Sequence, residues 1–208
     1  KVLQRLKKMF SFAIEQNEII QNPFNGYRFS LLRKEVVYLT TEELKALEKS
    51  KPNQPRLILV KDLFIFCCYT GLAFSEMANL KPSNIERGFD GKLWISLTRE
   101  KTNKSVSIPI LPKANTILNR YSTDSDLVFP KLSNQKFNSY LKEIADIVGI
   151  EKNLTHHIAR KTFASTVLLY NDVPIEIISE LLGHSSIKVT QESYAKLSNK
   201  KVSETMIR

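Results

Sequence analysis

The chain has 208 residues, which at about 150 residues a domain allows one large core and a smaller piece. Its 31 Lys and Arg against 21 Asp and Glu give a formal charge of +10, and 42% of its residues are hydrophobic. These values exclude an acidic disordered chain and favour a folded protein with a polyanionic partner. Only six residues are Gly, which argues against a turn-rich all-β protein and favours helix.

The first predicted element is an amphipathic helix over residues 2–14, where apolar residues recur every three or four positions. Asn-Pro and Asn-Gly pairs within residues 22–26 are turn signals that follow it. We therefore place a domain boundary near residues 25–37. Residues 1–32 are predicted to be the end of an earlier domain plus a linker, and residues 33–208 a second domain.

The second domain is predicted to open with two helices. Thr40 and Glu43 have the spacing of a capping box, which indicates a helix that begins after Thr40. Residues 57–69 form an apolar run with the length of a buried core helix, and Gly71 is expected to end it.

The middle of the chain changes to a period of two. Alternating apolar residues at 93–97 and again at 106–110 predict an antiparallel hairpin with its tip near Asn103. Four helical patterns follow, at about residues 134–148, 155–170, 174–182 and 188–206. The predicted fold class is therefore α+β: mainly α, with a small antiparallel hairpin or three-stranded sheet.

The sequence favours a reducing, intracellular compartment. Cys67 and Cys68 are adjacent, so we expect buried apolar residues rather than a disulfide framework. The longest apolar stretch, residues 63–74, is shorter than the about 20 residues that a bilayer requires. The basic N-terminal segment is followed by no small-residue cleavage site, which argues against a signal peptide.

The segment LTHHIARKTFAS places His157 and Arg160 three residues apart, on one helix face and within reach of a common ligand. His156 is about 100° further around the helix and is expected to face away. Apolar residues downstream put Arg160 at the edge of a core, where a guanidinium needs an anion. An internal carboxylate such as Glu76 and a bound phosphate both meet that need, and this segment alone favours neither.

The segment LLGHSSIKVTQESYAKL contains a junction between two helices. Gly183 has the position of a C′ residue and a following serine can cap the next helix, which leaves His184 at the junction. Junction residues point into clefts, although a lone histidine there is more often structural. Tyr194, by itself, is best explained as the core aromatic residue of an amphipathic helix.

The predicted hairpin carries two basic residues on an unexpected face. The alternation beyond Leu97 places Arg99 and Lys101 on the face that turns toward the protein. Lysines normally point to solvent, so a solvated hairpin tip remains the alternative.

Four segments together resemble one family: TGLAFSEMANL, REKTNKSVSIPI, LTHHIARKTFAS and LLGHSSIKVTQESYAKL. In this order and spacing they resemble the catalytic domain of tyrosine recombinases, the phage and mobile-element integrases. The resemblance runs from about Thr40 to Leu197 and implies the fold of DNA breaking and rejoining enzymes. Residues 1–24 are similar to the last helix of the SAM-like core-binding domain that precedes it in the family, so the chain resembles part of a longer protein.

The resemblance implies transesterification at a DNA phosphodiester, through a 3′-phosphotyrosyl intermediate. It implies that Tyr194 is the nucleophile, that Arg160 and His184 bind the non-bridging oxygens, that His157 is a base or donor, and that Lys101 protonates the leaving 5′-oxygen. A phenol is a weak nucleophile at pH 7 and needs such groups around it.

The resemblance also implies the partners of the protein. They are double-stranded DNA and further copies of the chain, which we expect to form a tetramer on DNA and a monomer as an isolated fragment. We expect neither a cofactor nor a metal, because the cysteines and histidines lack zinc-ligand spacing and no Gly-rich phosphate loop is present. The implied location is the cytoplasm of a bacterium, in association with the nucleoid.

The sequence departs from the family pattern at two points. Most members have an arginine where this chain has Ala73, which resembles a mobile-element branch that lacks this arginine. Lys61 and Arg99 are the candidates to replace it. Tyr194 also lies ten rather than nine positions after His184, which calls for a local irregularity or a later helix start.

Two other functions stay open. A type IB-like topoisomerase would nick and reseal DNA without exchanging strands. A non-catalytic DNA-binding protein of the same fold would explain Ala73.

Overall fold

The structure, a computed structural model, describes residues 2–26, 36–100, 102–121 and 125–194. The chain divides into two units, Lys1–Glu35 and Val36–Arg208.

The described part of the first unit is a helix and the turn after it. Helix α1 (Val2–Glu15) has no fully buried residue, and most of its apolar stripe is half-buried. The Asn22 side chain accepts a hydrogen bond from the Phe24 backbone N–H at 2.9 Å, and Gly26 has a φ of +79°. The predicted helix and turn are confirmed. The assignment of this unit to a core-binding domain stays a prediction.

The second unit begins with a capped helix, α2 (Thr41–Lys49). The Thr40 hydroxyl accepts from the Glu43 backbone N–H at 3.3 Å, and the Glu43 carboxylate accepts from the Thr40 N–H at 2.7 Å. Two N–H groups that a helix start leaves unpaired are thereby satisfied. The predicted capping box is confirmed.

Helix α3 (Pro55–Thr70) is the centre of the core. It buries residues on all sides, both cysteines included, and packs against three later helices. Gly71 ends it in the left-handed conformation with a φ of +66°. A Cβ on Gly71 would lie 2.3 Å from the Phe163 ring, so the end of α3 lies directly on that side chain. The predicted buried helix and its glycine stop are confirmed.

A three-stranded antiparallel sheet follows the short helix α4 (Phe74–Ala78) and a 3₁₀ turn. The strands are β1 (Ile85–Arg87), β2 (Leu93–Thr98) and β3 (Ser105–Pro109), in the spatial order β1-β2-β3. Ile95 in the central strand pairs with Ile85 and Ile108 and is fully buried. The predicted hairpin is confirmed, and the sheet has three strands.

The rest of the described chain is helical. The helices are α5 (Pro112–Tyr121), α6 (Asn134–Val148), α7 (His156–Thr162), α8 (Ile175–Leu181) and α9 (residues 187–194). Helix α7 continues into a π-helical turn, Phe163–Leu168, and a 3₁₀ turn, Leu169–Asn171.

Helices α5, α6 and α7 surround α3. Asp62 of α3 is buried and accepts from the Arg120 guanidinium at 2.5 Å and from the Tyr121 hydroxyl at 2.9 Å. Since a buried carboxylate without partners is costly, these two donors hold α5 in register with α3.

The later helix predictions match the structure in the described residues. The pattern at 134–148 is α6 itself, and the pattern at 155–170 is α7 with its π and 3₁₀ continuations. The pattern at 188–206 is confirmed as far as Tyr194, and its remainder lies outside the described residues. Helix α4, with 5 residues, and strand β1, with 3 residues, were not predicted because they are too short to show a clear apolar period. Helix α5, with 10 residues, was also not predicted.

Candidate active site

His156 and His157 begin α7 and point to different environments. The His156 ring is buried, 5.5 Å from the rings of Phe74 and Phe137 between centroids. Burial, with smaller contributions from His157 and Arg160, lowers the pKa of His156 to about 4. This imidazole is therefore neutral at pH 7. The expectation that His156 faces away from exposed His157 is confirmed.

A surface cleft of about 270 Å³ lies beside the start of α7. Its walls include Ala73, Asn138, His157 and Arg160. Asn138 also accepts a hydrogen bond from the His156 backbone N–H at 2.8 Å, which satisfies one of the unpaired donors at the start of α7. The structure thus brings His157 and Arg160 to one open site. Ala73, which stands where most family members have an arginine, lies in the wall of the same site.

Arg160 binds two backbone carbonyls at the ends of helices. One terminal nitrogen donates to the Gly71 carbonyl at 2.7 Å, after α3, and the other donates to the Leu182 carbonyl, after α8. Carbonyls at a helix C-terminus carry partial negative charge and have no partner within the helix. The internal carboxylate considered from the sequence, Glu76, is paired with Arg99, and carbonyl dipoles hold the Arg160 guanidinium.

Arg99 binds Glu76, the carboxylate considered from the sequence as a partner of Arg160. It is 3% exposed, forms an ion pair with Glu76 of α4, and donates to the Leu181 carbonyl at 2.7 Å. Its Nε has no hydrogen-bond partner within the described chain. Glu76 also accepts from the Ala73 backbone N–H at 2.7 Å. The prediction that Arg99 turns toward the protein is confirmed.

The charges of this cluster do not cancel. Burial lowers the pKa of Arg99, against the attraction of Glu76. Burial and the neighbouring Arg99 lower the pKa of Arg160 to about 10, against Glu76 and Tyr194. Both guanidiniums remain charged at pH 7, so two positive charges lie close to one carboxylate.

The turn after α8 carries His184. Gly183 has a φ of +61°, as expected of a residue that ends a helix. The His184 Nδ1 lies 2.7 Å from the hydroxyl of buried Thr190 in α9, which orients the imidazole. The next helix is capped by Ser186, whose hydroxyl accepts from the Lys188 N–H at 3.2 Å. His184 therefore lies at the predicted junction, two residues from the carbonyl that holds Arg160.

Tyr194 lies in α9 and is 6% exposed. Burial raises its pKa to about 12, and Arg160 opposes this shift, so the phenol lies within electrostatic reach of that guanidinium. The extra residue between His184 and Tyr194 does not remove the tyrosine from the cluster. The phenol is enclosed, as the core-aromatic alternative expects, and it is beside Arg160, as the family resemblance expects.

The other two basic candidates are outside this cluster or outside the described residues. The Lys61 ammonium donates to the Ser50 carbonyl at 2.7 Å, at the C-terminus of α2. This contact ties Lys61 to α2 and not to Arg160. Lys101 lies outside the described residues, so its predicted place at the site stays a prediction.

Sequence reasoning did not identify several partners of the site. The carbonyls of Gly71, Leu181 and Leu182 carry no side-chain identity, so no residue type signals them. Thr190 follows His184 by six residues in a polar stretch and gave no distinct signal. The sequence indicated Glu76 as a carboxylate near Arg160, but it did not indicate that Glu76 pairs with Arg99.

The described residues contain neither a metal-binding cluster nor a membrane-spanning helix. No group of three or more His, Cys, Asp or Glu side chains is placed to hold a metal ion there. Within that part of the chain, no helix has the length and hydropathy to cross a membrane.

Comparisons with known proteins agree on one family. The model of the phage integrase family matches residues 37–201. Tyrosine recombinase XerA of Pyrococcus furiosus is 32% identical over all of this chain and 72% of that relative. The XerH site-specific recombinase, bound to palindromic difH substrate in a post-cleavage complex, is similar with a TM-score of 0.73 and 19% identity, over 95% of this chain and 63% of that one. The Tn1549 transposon integrase in complex with circular intermediate DNA has a TM-score of 0.71 and 18% identity, over 99% and 76%.

The chain therefore belongs to the phage integrase family. It is a tyrosine recombinase by class and has the fold of the catalytic domain of these enzymes. It spans 63% to 76% of the lengths of the three proteins named above. The predicted family, fold class and enzyme class are confirmed.

Proposed function

We propose that this chain is the catalytic part of a site-specific recombinase that cleaves and rejoins double-stranded DNA for integration or excision of a mobile element. Two of its structural neighbours, the XerH recombinase and the Tn1549 integrase, are bound to DNA in their structures, and the second belongs to a transposon. The observation that carries the proposal is a cluster in which Arg99 and Arg160 lie close to the Glu76 carboxylate and Tyr194 lies within electrostatic reach of Arg160.

The cluster suits a phosphodiester because its charge is unbalanced. Two guanidiniums close to Glu76 leave one positive charge in excess. A backbone phosphate carries one negative charge and would complete the balance. Charge builds up on its non-bridging oxygens in the transition state, where preplaced donors stabilise it most. Removal of one such donor costs about 2.7 to 4 kcal/mol of the barrier in comparable oxyanion sites.

The proposed reaction is the transesterification that the family resemblance implies, carried by these side chains together with Lys101. The Tyr194 oxygen attacks phosphorus, a Tyr–O–P bond forms, and the bond from phosphorus to the 5′-oxygen breaks. The products are a 3′-phosphotyrosyl linkage and a free 5′-hydroxyl, so the bond energy is kept for rejoining. Arg160 and His184 hold the non-bridging oxygens and His157 assists the phenol as base or donor. Lys101 delivers the proton to the leaving oxygen.

Of the two candidates, Arg99 is the residue that we assign to replace the arginine found in most family members at the position of Ala73. Its guanidinium binds Glu76, and the Glu76 carboxylate also accepts a hydrogen bond from the Ala73 backbone N–H. The positive charge of Arg99 therefore lies near residue 73, where most family members have their arginine. Its buried Nε, which has no partner among the described residues, is a further donor that a phosphate oxygen would reach only once the cluster opens to DNA. Lys61 is the weaker candidate because its ammonium is bound at α2.

Tyr194 must become accessible before it attacks. The described state encloses the phenol and keeps its pKa near 12, so almost none of it is ionised at pH 7. DNA or a neighbouring subunit would have to move α9 and bring the phenol to the phosphate. Approach to the cationic groups would also favour the phenolate.

The remaining parts of the proposal concern the whole protein. Residues 1–32 are assigned to the end of a core-binding domain plus linker, and residues 33–208 to the catalytic domain. The active form is a tetramer on DNA, the isolated chain is a monomer, and the protein works without metal or ATP. Its location is the bacterial cytoplasm, on the nucleoid.

The test is a cleavage assay on a nicked duplex that spans the joined ends of the element encoding the protein. The full-length protein should form a covalent adduct on a denaturing gel, and Tyr194→Phe should form none. Arg99→Ala should slow adduct formation by about a hundredfold or more, as loss of one transition-state donor does. Lys61→Ala is the matched control and should react like the wild type.

Other outcomes separate the alternatives. Relaxation of a supercoiled plasmid with no recombinant product would favour the topoisomerase. Binding of the duplex without any adduct would favour the non-catalytic DNA-binding protein.

A further inference from the structure

Four consecutive backbone carbonyls at the end of α8 each accept a hydrogen bond from a side chain of another element. We name them the carbonyl row, and they belong to Leu181, Leu182, Gly183 and His184. In the same order, the donors are the side chains of Arg99, Arg160, Thr102 and Lys104. Because helix-terminal carbonyls have no partner in their own helix and carry partial negative charge, these donors stabilise the row.

Three of the four donors come from the hairpin end, by which we mean residues 99, 100 and 102–104. This loop is closed by two backbone hydrogen bonds of 2.8 Å, from the Arg99 N–H to the Lys104 carbonyl and from the Asn103 N–H to the Arg99 carbonyl. The Ser75 hydroxyl of α4 donates to the Glu100 carboxylate at 2.8 Å. The hairpin end is therefore fastened to α4 and to the carbonyl row.

The backbone of the row and the hairpin are in direct contact. A Cβ on Gly183 would lie 2.7 Å from the Arg99 Cγ and 3.0 Å from the Val106 Cγ1. Real Cβ atoms do not approach other atoms this closely, so the contact leaves no room for a side chain at this position. A shift of the hairpin would therefore displace Arg99 relative to the row, which also holds Arg160.

Thr102 differs from the other donors because it carries no charge. Its hydroxyl donates to the Gly183 carbonyl at 3.1 Å. Gly183 directly follows Leu182, whose carbonyl binds Arg160. We propose that Thr102 is a positioning residue of the recombination reaction, which holds the hairpin end on the carbonyl row and thereby keeps the two guanidiniums at the spacing that the phosphate requires. This inference rests on the proposed function.

The first test compares three variants of the full-length protein on the nicked duplex. Thr102→Val removes the hydroxyl at nearly constant shape and should slow cleavage at saturating DNA by about three- to tenfold, the equivalent of one hydrogen bond. Thr102→Ser keeps the hydroxyl and should restore the rate. Thr98→Val, on the same hairpin, removes a hydroxyl that faces Ser105 at 3.5 Å and should leave the rate unchanged. DNA affinity should stay the same in all three.

The second test uses a duplex with a methylphosphonate at the scissile position. This group lacks one charged oxygen, so its cleavage depends less on the guanidiniums. The deficit of Thr102→Val should therefore fall below about twofold on this duplex. A deficit of equal size on both duplexes would mean that Thr102 has only a structural role and would overturn the proposal.

A stronger variant tests the same contact. Gly183→Ala should reduce cleavage by more than about tenfold, because the new methyl group displaces Arg99. Gly149→Ala is its control, since Gly149 also has a positive φ of +77° but has no atom within 4 Å of a built Cβ. Both variants place an alanine at a positive φ, +61° and +77°, so equal rates for the two would contradict the inference.

The cleavage assay distinguishes failure of this inference from failure of the proposed function. If Tyr194→Phe loses the adduct while Thr102→Val and Thr102→Ser react alike at the wild-type rate, only the positioning role is wrong. If the wild type forms no adduct on the joined ends, the proposed function is wrong.

Discussion

Arg160 is bound by two neutral carbonyls, and Arg99 has the only carboxylate in direct contact with this pair among the described residues. Hydrogen bonds that involve a charged group contribute about 1.5 to 3 kcal/mol each, enough to orient a guanidinium. They do not neutralise it. The site therefore holds both guanidiniums in fixed orientations and keeps one positive charge in excess, which suits an anionic ligand.

His156 offers a pH-dependent test at the residue scale. Its pKa is about 4 in the fold and 6.5 in an unperturbed chain, so the unfolded chain takes up the proton first. The unfolding free energy should therefore fall as the pH drops from 6.5 to 4, by up to about 3 kcal/mol from this residue. His156→Phe keeps an aromatic ring between Phe74 and Phe137 and should lose this part of the decline.

The measurement is urea unfolding of the wild type and the variant at a series of pH values from about 7.5 to 3, above and below these pKa values. The difference between the two unfolding free energies should shrink or change sign as the pH falls. Parallel curves would show that His156 titrates normally in the folded protein.

At the scale of elements, α7 is anchored by the segment that precedes α2. The Leu39 N–H donates to the Thr162 hydroxyl at 2.9 Å, and the Thr166 hydroxyl donates to the Leu39 carbonyl. All three residues are buried. Both threonines lie just after Arg160 on the continuous helical segment, so this contact helps to set the position of the helix that carries the site.

Thr162→Val tests this anchor. The substitution leaves the buried Leu39 N–H without a partner and should lower the unfolding free energy by about 1 to 3 kcal/mol. The control is Thr116→Val, because Thr116 is exposed and its hydroxyl donates to the Pro112 carbonyl of its own helix; its effect should stay within about 0.5 kcal/mol. Urea unfolding measures both variants, and equal effects would count against the anchor.

At the scale of the molecule, the charge of +10 predicts binding to DNA that depends strongly on salt. Each phosphate contact releases counterions, so affinity should fall by about 3.5-fold per contact between about 50 and 200 mM salt. Fluorescence anisotropy with a labelled duplex measures the slope for this chain by itself. We expect weak binding with a steep slope, and an affinity independent of salt would contradict the electrostatic origin of binding.

Local features of the chain could be predicted from the sequence because they depend on neighbours along it. The capping box at Thr40, the glycine stop at Gly71, the hairpin and helix α6 each need only residues a few positions apart. The order of the four family segments was sufficient to identify the class, since it is a property of the sequence itself.

The partners within the site were decided by the tertiary structure. Arg160 binds a carbonyl 89 residues away, and Arg99 binds Glu76, 23 residues away. Every residue has a carbonyl, so no letter of the sequence marks the ones that bind a guanidinium. The enclosure of Tyr194 likewise depends on how α9 packs against the core. The sequence by itself determined the chemical groups and the class of enzyme, while the fold decided which charges pair and which one is left for a ligand, because burial and distance exist only once the chain is packed.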